Sequence, residues 1–96
     1  MSQLREICIT LPCRLGLHMR AAVRFLHFAR KFRSDIKIRK GKIIADGKNI
    51  FGILLLGATW KSKLQFQAEG EDAQEAIRAI ESYFSIQENC YDSVLR

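Results

Sequence analysis

Two kinds of apolar spacing alternate along this chain, and their order limits the folds that it can adopt. Apolar and polar residues alternate in four segments, a pattern typical of strands with one face in water. These segments are Leu4–Thr10, Asp35–Lys40, Lys42–Ala45 and Lys63–Ala68. Elsewhere, apolar residues recur at the i, i+3, i+4 spacing that predicts amphipathic helices. The longer helices are expected over Met19 to about Phe32 and over Ala73–Phe84, with a short apolar helix over Ile50–Leu56.

The predicted order of elements is therefore β-α-β-β-α-β-α, which favours an α+β fold. Alternating strands suit an antiparallel sheet because such a sheet can keep one face in water. We expect an open-faced two-layer sandwich in which three helices cover one face of a four-stranded antiparallel sheet. Asn49 is predicted to cap the short helix, and Asp72 with Glu75 is predicted to form a capping box before the last helix.

The length of 96 residues fits a single domain. We expect that domain over residues 1–84, with a C-terminal tail over 85–96. The longest apolar stretch, Ile50–Ala58, is about half of the ~20 residues that a bilayer span needs. The first residues also lack the pattern of a signal peptide. The sequence thus predicts a cytoplasmic protein without membrane insertion.

The chain has three cysteines, Cys8, Cys13 and Cys90, and no two of them have the CxxC spacing. An odd number argues against a disulfide framework, and the spacing argues against a zinc site. Reduced thiols in the cytosol are therefore the expected state. Neither a metal nor a cofactor is expected.

The net charge of +6 is unevenly distributed. Residues 1–63 hold 14 Lys and Arg against three acids, a balance of +11, whereas residues 64–96 have a balance of −5. A basic face of this kind attracts acidic proteins, acidic lipids or nucleic acid. A basic nucleic-acid-binding module is thus an alternative function, although the chain lacks the aromatic strand motifs and the Gly-x-x-Gly clamp of common RNA-binding domains.

His18 is the residue with the most specific chemistry, because it stands where a loop is predicted to become a helix. The first N–H groups of a helix have no intrahelical acceptor, and the helix dipole is positive there, so this end favours phosphate. The backbone of Met19 and Arg20 would supply such groups, and the Arg20 guanidinium suits phosphate oxygens. The simpler interpretation is an ordinary solvated histidine, as expected for His27 in the middle of the helix. A Cys13–His18 nucleophile pair or metal site lacks a third group nearby.

Three motifs in the same order and spacing resemble the HPr family, the histidine-containing phosphocarriers of the bacterial phosphoenolpyruvate-dependent phosphotransferase system. Gly16–Ala22 resembles the active-site signature of the family, Gly47–Gly52 its second-helix region, and Ala68–Asp72 its entry into the last helix. The resemblance extends over about residues 5–84.

This resemblance implies a monomeric phosphocarrier that is modified covalently rather than an independent catalyst. Enzyme I would phosphorylate Nδ1 of His18, with Arg20 as the active-site arginine, and an enzyme II A component would accept the phosphoryl group. The pathway would be sugar transport or a nitrogen or other regulatory branch. The partners would dock on a patch around the first two helices, formed by Met19, Val23, Arg24, Ile50 and Phe51. Periodicity alone also allows Ile50 and Phe51 to be core residues.

The chain departs from the family pattern at three positions. Ala21 stands where members usually have proline, and Leu15 where they have a small polar residue near the phosphate. Asn49 stands at the position of the regulatory serine and cannot be phosphorylated there. Asn49 also disfavours the regulatory homologue that keeps the serine and lacks the histidine. The first two changes leave open a degenerate interaction domain that docks partners without phosphoryl transfer.

Overall fold

The computed structural model describes residues 3–86 and residue 90. Within them the chain forms four strands: β1 (Gln3–Thr10), β2 (Asp35–Lys40), β3 (Ile43–Asp46) and β4 (Lys63–Gly70). The three helices are α1 (Met19–Ala29), α2 (Ile50–Leu55) and α3 (Ala73–Ser85). The predicted order β-α-β-β-α-β-α is confirmed.

The sheet has the strand order β1-β4-β2-β3, and every neighbouring pair is antiparallel. The last strand in sequence thus lies between β1 and β2. Phe66 of β4 is opposite Ile7 of β1 on one side and opposite Ile38 of β2 on the other. The helices cover one face of this sheet, as expected for the predicted α+β sandwich.

An aromatic cluster joins the two layers at the centre of the core. Phe25 of α1 is completely buried, and its ring centroid lies 5.7 Å from that of Phe66 in β4. The same ring lies 5.8 Å from Phe84 and 5.5 Å from Tyr83, both in α3. These contacts hold α1, and therefore its N-terminal end, in a fixed position over the sheet.

The helix α1 ends at Ala29, before the predicted end near Phe32. The N–H groups of Lys31 and Phe32 donate to Phe28 and Ala29, each three residues back and each at 3.2 Å. Such i→i−3 bonds tighten the last turn of a helix and end it. The ring of Phe32 nevertheless packs against that of Phe28, with centroids 5.4 Å apart. The apolar periodicity therefore continues past the end of the regular helix.

The capping box predicted at Asp72 is wrong. Asp72 is the N-cap residue of α3, but its side chain makes no capping hydrogen bond. Its carboxylate instead accepts from the N–H groups of Arg33 and Ser34, both at 2.9 Å, and from the Ser34 hydroxyl. These bonds, chiefly the one from the hydroxyl, hold the pKa of Asp72 below its usual value and outweigh the opposing effect of burial.

The expectation that all three cysteines are reduced is also wrong. Cys13 and Cys90 form a disulfide across 77 positions of sequence, and both are buried. Cys8 is free and exposed. Within the predicted tail, Ser85 completes α3 and Cys90 is tied to the domain. Residues 87–89 and 91–96 of that tail lie outside the described part of the chain. Among the described residues, no helix has the length and apolar content of a bilayer span.

Candidate phosphoryl-transfer site

His18 is the N-cap residue of α1, as its position in the sequence predicts. Its backbone is extended (φ −72°, ψ 176°), and its carbonyl accepts the first intrahelical bond from the Ala22 N–H at 2.8 Å. The N–H groups of Met19 to Ala21 therefore precede the intrahelical ladder. The imidazole makes no capping hydrogen bond to this helix end. It is half-buried.

The imidazole has a hydrogen-bond partner that fixes which ring nitrogen is protonated. Nε2 of His18 lies 3.2 Å from the backbone carbonyl oxygen of Cys90. A carbonyl oxygen can only accept, so Nε2 must carry the proton. In the neutral ring the lone pair is then on Nδ1. Nδ1 is thus the ring nitrogen whose lone pair could act as a nucleophile.

The loop before His18 is attached to the loop that precedes β4. The Leu17 N–H donates to Ala58 at 3.0 Å, the Leu11 N–H to Ser62 at 2.8 Å, and the Lys61 N–H to Leu11 at 2.9 Å. Leu11, Cys13 and Leu17 are buried. The approach to His18 is therefore a packed loop, which restricts where the imidazole can lie.

Most of the predicted site residues on α1 meet in one open depression. It is lined by His18, Met19, Arg20, Val23, Arg24 and His27. The two arginines and His27 are exposed, and so is Met19, whereas Val23 is half-buried. This surface therefore combines cations with apolar side chains beside the imidazole. His27 is the exposed mid-helix residue that the sequence predicts.

The two predicted docking residues of α2 lie outside this depression and differ in exposure. Asn49 caps α2 as predicted, since its Oδ1 accepts from the N–H groups of Phe51 at 2.9 Å and Gly52 at 3.3 Å. The Phe51 side chain is 74% exposed, whereas Ile50 is half-buried against the core. Helices α1 and α2 pack against each other. Phe51 therefore lies on the helix beside α1, whose N-cap residue is His18.

Sequence reasoning missed two features of this region. Leu55, one turn after Phe51, is 77% exposed and extends the apolar surface of α2. The i, i+4 spacing of Phe51 and Leu55 places both on one side of the helix. Because nearly every residue of this segment is apolar, the sequence does not show which side is exposed. Cys90 is the second, and no local spacing connects it with Cys13 or His18.

The departures Ala21 and Leu15 have different surroundings. Ala21 is buried in the first turn of α1. Alanine is the best helix former, so this position supports the helix on which His18 depends. Leu15 is 47% exposed in the loop before His18. Neither change displaces His18 from the start of the helix.

Comparison with known proteins agrees with this geometry. The family model described as the PTS HPr component phosphorylation site matches residues 5–85. The chain is 39% identical over 75 residues to a phosphocarrier protein HPr of Buchnera aphidicola, covering 78% of this chain and 86% of the relative. It is 34% identical over 67 residues to that of Neisseria meningitidis, covering 70% and 75%.

The fold also resembles solved structures. The crystal structure of HPr-C-His from Thermoanaerobacter tengcongensis superposes with a TM-score of 0.81 at 34% sequence identity, covering 84% of this chain and 91% of the other. The family match over residues 5–85 includes His18. By its sequence and by its fold, the chain belongs to the HPr family of phosphocarriers of the phosphotransferase system.

Proposed function

We propose that this chain accepts a phosphoryl group on Nδ1 of His18 from phosphorylated enzyme I and passes it to an enzyme II A component. One observation carries the proposal: Nε2 of His18 is hydrogen-bonded to a carbonyl, so the lone pair is on Nδ1 at the start of α1. A neutral nitrogen with a directed lone pair is what nucleophilic attack on phosphorus requires.

In the proposed transfer, the Nδ1 lone pair forms the new N–P bond on the face of phosphorus opposite the donor. The bond from phosphorus to the donor atom of enzyme I breaks, and that atom keeps the electron pair. The Nε2 proton remains on the ring, so the imidazole becomes positively charged. The Cys90 carbonyl then accepts a stronger, charge-assisted hydrogen bond.

The phosphoryl group adds about two negative charges beside α1. The backbone of Met19 and Arg20 at the helix start, and the Arg20 guanidinium, would offset that charge. Arg24, one turn further along, adds positive potential to the same surface. Because these groups contact the phosphoryl oxygens only through charge and hydrogen bonds, the N–P bond itself remains available for transfer to the next acceptor.

Both partners would dock on the same mixed surface of α1 and α2. Met19 and Phe51 are its exposed apolar anchors, Val23 and Ile50 lie at its base, and Arg24 is a cation at its edge. Small apolar patches with basic surroundings suit transient complexes with acidic partners. Sequential use of one surface by donor and acceptor requires such weak, rapidly reversible contacts.

Asn49 would remove control by serine phosphorylation at this position. Its amide oxygen is used to cap α2, and an amide cannot accept a phosphoryl group as a serine hydroxyl does. The proposed carrier would therefore not be controlled by phosphorylation at position 49.

The experiment is incubation of the purified chain with enzyme I and phosphoenolpyruvate, followed by mass analysis at neutral and acid pH. We expect one acid-labile phosphoryl group, absent from His18→Ala and retained in His27→Ala. His27 is the matched control because it lines the same depression in the middle of α1. Full labelling of His18→Ala would rule out His18 as the acceptor.

A further inference from the structure

Cys90 contacts the site in two independent ways. Its sulfur is bonded to Cys13 in the loop that leads to His18, and its backbone carbonyl accepts a hydrogen bond from the Nε2–H of His18. Cys90 and Cys13 are each only 1% exposed. From these two links we propose that Cys90 is a positioning residue for His18 and that the disulfide makes this positioning redox-sensitive. The inference rests on the proposed function, because it concerns the same imidazole.

The carbonyl constrains the imidazole in two respects that matter for transfer. It keeps the proton on Nε2 and the lone pair on Nδ1, and it restricts rotation of the ring about its side-chain bonds. It also lies where positive charge develops as Nδ1 bonds to phosphorus. A group that stabilises this charge lowers the barrier of the transfer step rather than improving docking.

The disulfide keeps that carbonyl at the ring. A single neutral hydrogen bond contributes less free energy than the conformational entropy lost in ordering even one residue. The bond to His18 alone therefore does not hold the chain at Cys90 in place. The covalent link to Cys13 restricts Cys90 to the vicinity of the site loop, so the hydrogen bond forms at little further entropic cost.

The redox step is a thiol–disulfide exchange with a small disulfide such as oxidised glutathione. One protein thiolate attacks it and releases one glutathione thiol, and the second protein thiolate then displaces the other. The two protein thiols are oxidised to one disulfide, and one oxidised glutathione becomes two reduced molecules. Because both protein sulfurs are buried, the reverse reaction requires a local opening around Cys90.

The test compares the full chain in two states: oxidised with glutathione disulfide, and reduced with excess dithiothreitol. Mass analysis and peptide mapping verify the Cys13–Cys90 link. Long-range ¹H–¹⁵N NMR spectra, recorded where the imidazoles are neutral, report the protonated nitrogen of His18, with His27 as the internal control. We expect a pure Nε2–H pattern when oxidised, a mixture of tautomers when reduced, and no change at His27.

Phosphorylation by enzyme I is measured on the same two samples. We expect reduction to lower kcat for His18 phosphorylation about two- to tenfold, the effect of losing one hydrogen bond at the reacting ring, with KM unchanged. Cys13→Ser and Cys90→Ser should each behave as the reduced chain and no longer respond to the reductant. Cys8→Ser, which removes only the exposed thiol, should respond as the unmodified chain does.

Three outcomes would overturn the inference: no Cys13–Cys90 link after oxidation, identical His18 ring signals in both states, or identical kcat in both states. Failure of the proposed function has a different signature. In that case neither state becomes phosphorylated on His18, while the ring signals still follow the redox state. Reoxidation of the reduced chain should restore both the ring pattern and kcat, which distinguishes positioning from irreversible loss of structure.

Discussion

Gly16 satisfies two separate conditions in the loop before His18. Its φ of +73° lies in the left-handed region, which is strained for residues with a Cβ. A Cβ built on Gly16 would also lie 2.5 Å from the Ala58 carbonyl oxygen. That oxygen accepts the hydrogen bond from the Leu17 N–H, so the clash would occur at the contact that holds the site loop.

Gly16→Ala should therefore lower both stability and phosphoryl acceptance. We expect a loss of about 2–3 kcal/mol in the free energy of unfolding, from backbone strain together with the clash. We also expect a fall of about tenfold or more in the rate of His18 phosphorylation, because a displaced loop misplaces the imidazole. Urea unfolding and the enzyme I assay measure the two effects.

Gly41→Ala is the matched control for this prediction. Gly41 has a similar φ of +61°, but a Cβ there would meet no atom within 4 Å. It should lose about 1 kcal/mol from strain alone and keep the phosphorylation rate. Equal losses in the two variants would show that the contact with Ala58 has no role.

At the scale of elements, α2 has only six residues and depends on its cap and its buried side. Asn49 satisfies the first N–H groups, and Ile53 is completely buried beneath the helix. A helix of this length has little stability in isolation, so packing and capping determine that it forms. The opposite side, with Phe51 and Leu55, contributes little to this packing and is available to partners.

Phe51→Ala should separate binding from stability. Loss of an exposed aromatic anchor is expected to weaken the complex with enzyme I by about 1–2 kcal/mol, as measured by calorimetry. The free energy of unfolding should change by less than about 0.5 kcal/mol. Ile53→Ala provides the contrast, because removing this buried side chain should lower stability by about 2–5 kcal/mol. A Phe51→Ala variant that binds enzyme I normally would exclude Phe51 from the docking surface.

For the molecule as a whole, Asp72 joins parts of the chain that are distant in sequence. Its carboxylate connects the segment between α1 and β2, through Arg33 and Ser34, to the start of α3. Bonds to the ionised carboxylate lower its pKa, so folding favours the deprotonated form. The stabilisation is fully present above the unfolded-state value of 3.8 and is lost as the pH falls through the lower folded-state value.

Asp72→Asn should therefore flatten the acid side of the stability profile. We expect the variant to be less stable at neutral pH by about 1 kcal/mol, since it loses charge-assisted hydrogen bonds. The difference from the unmodified chain should shrink as the pH falls below 3.8. Ser34→Ala, which removes the largest cause of the shift, should move the acid transition to higher pH. Thermal unfolding across an acid pH series measures both effects, and parallel profiles for the unmodified chain and Asp72→Asn would contradict the prediction.

Local spacing in the sequence was enough to predict the elements and the place of His18. Alternation and helical periodicity are properties of neighbouring residues, so the strands, the helices and the start of α1 follow from them. The motif around His18 is equally local and identifies the loop-to-helix junction, and three such motifs in the same order and spacing identify the family. The end of α1 was predicted three residues too late because the ring of Phe32 packs against Phe28 beyond the last regular helical hydrogen bond.

Only the tertiary structure decided which distant groups meet. Cys13 and Cys90 are 77 positions apart in sequence but bonded in the fold, and the same proximity brings the Cys90 carbonyl to Nε2 of His18. The Asp72 side chain bonds to Ser34 instead of capping its own helix, and Ser34 comes close to it only when the chain is folded. Phe51 is exposed while Ile53 is buried because α2 rests on the core by one side. Such contacts depend on how distant segments pack together, so the spacing of residues along the sequence does not predict them.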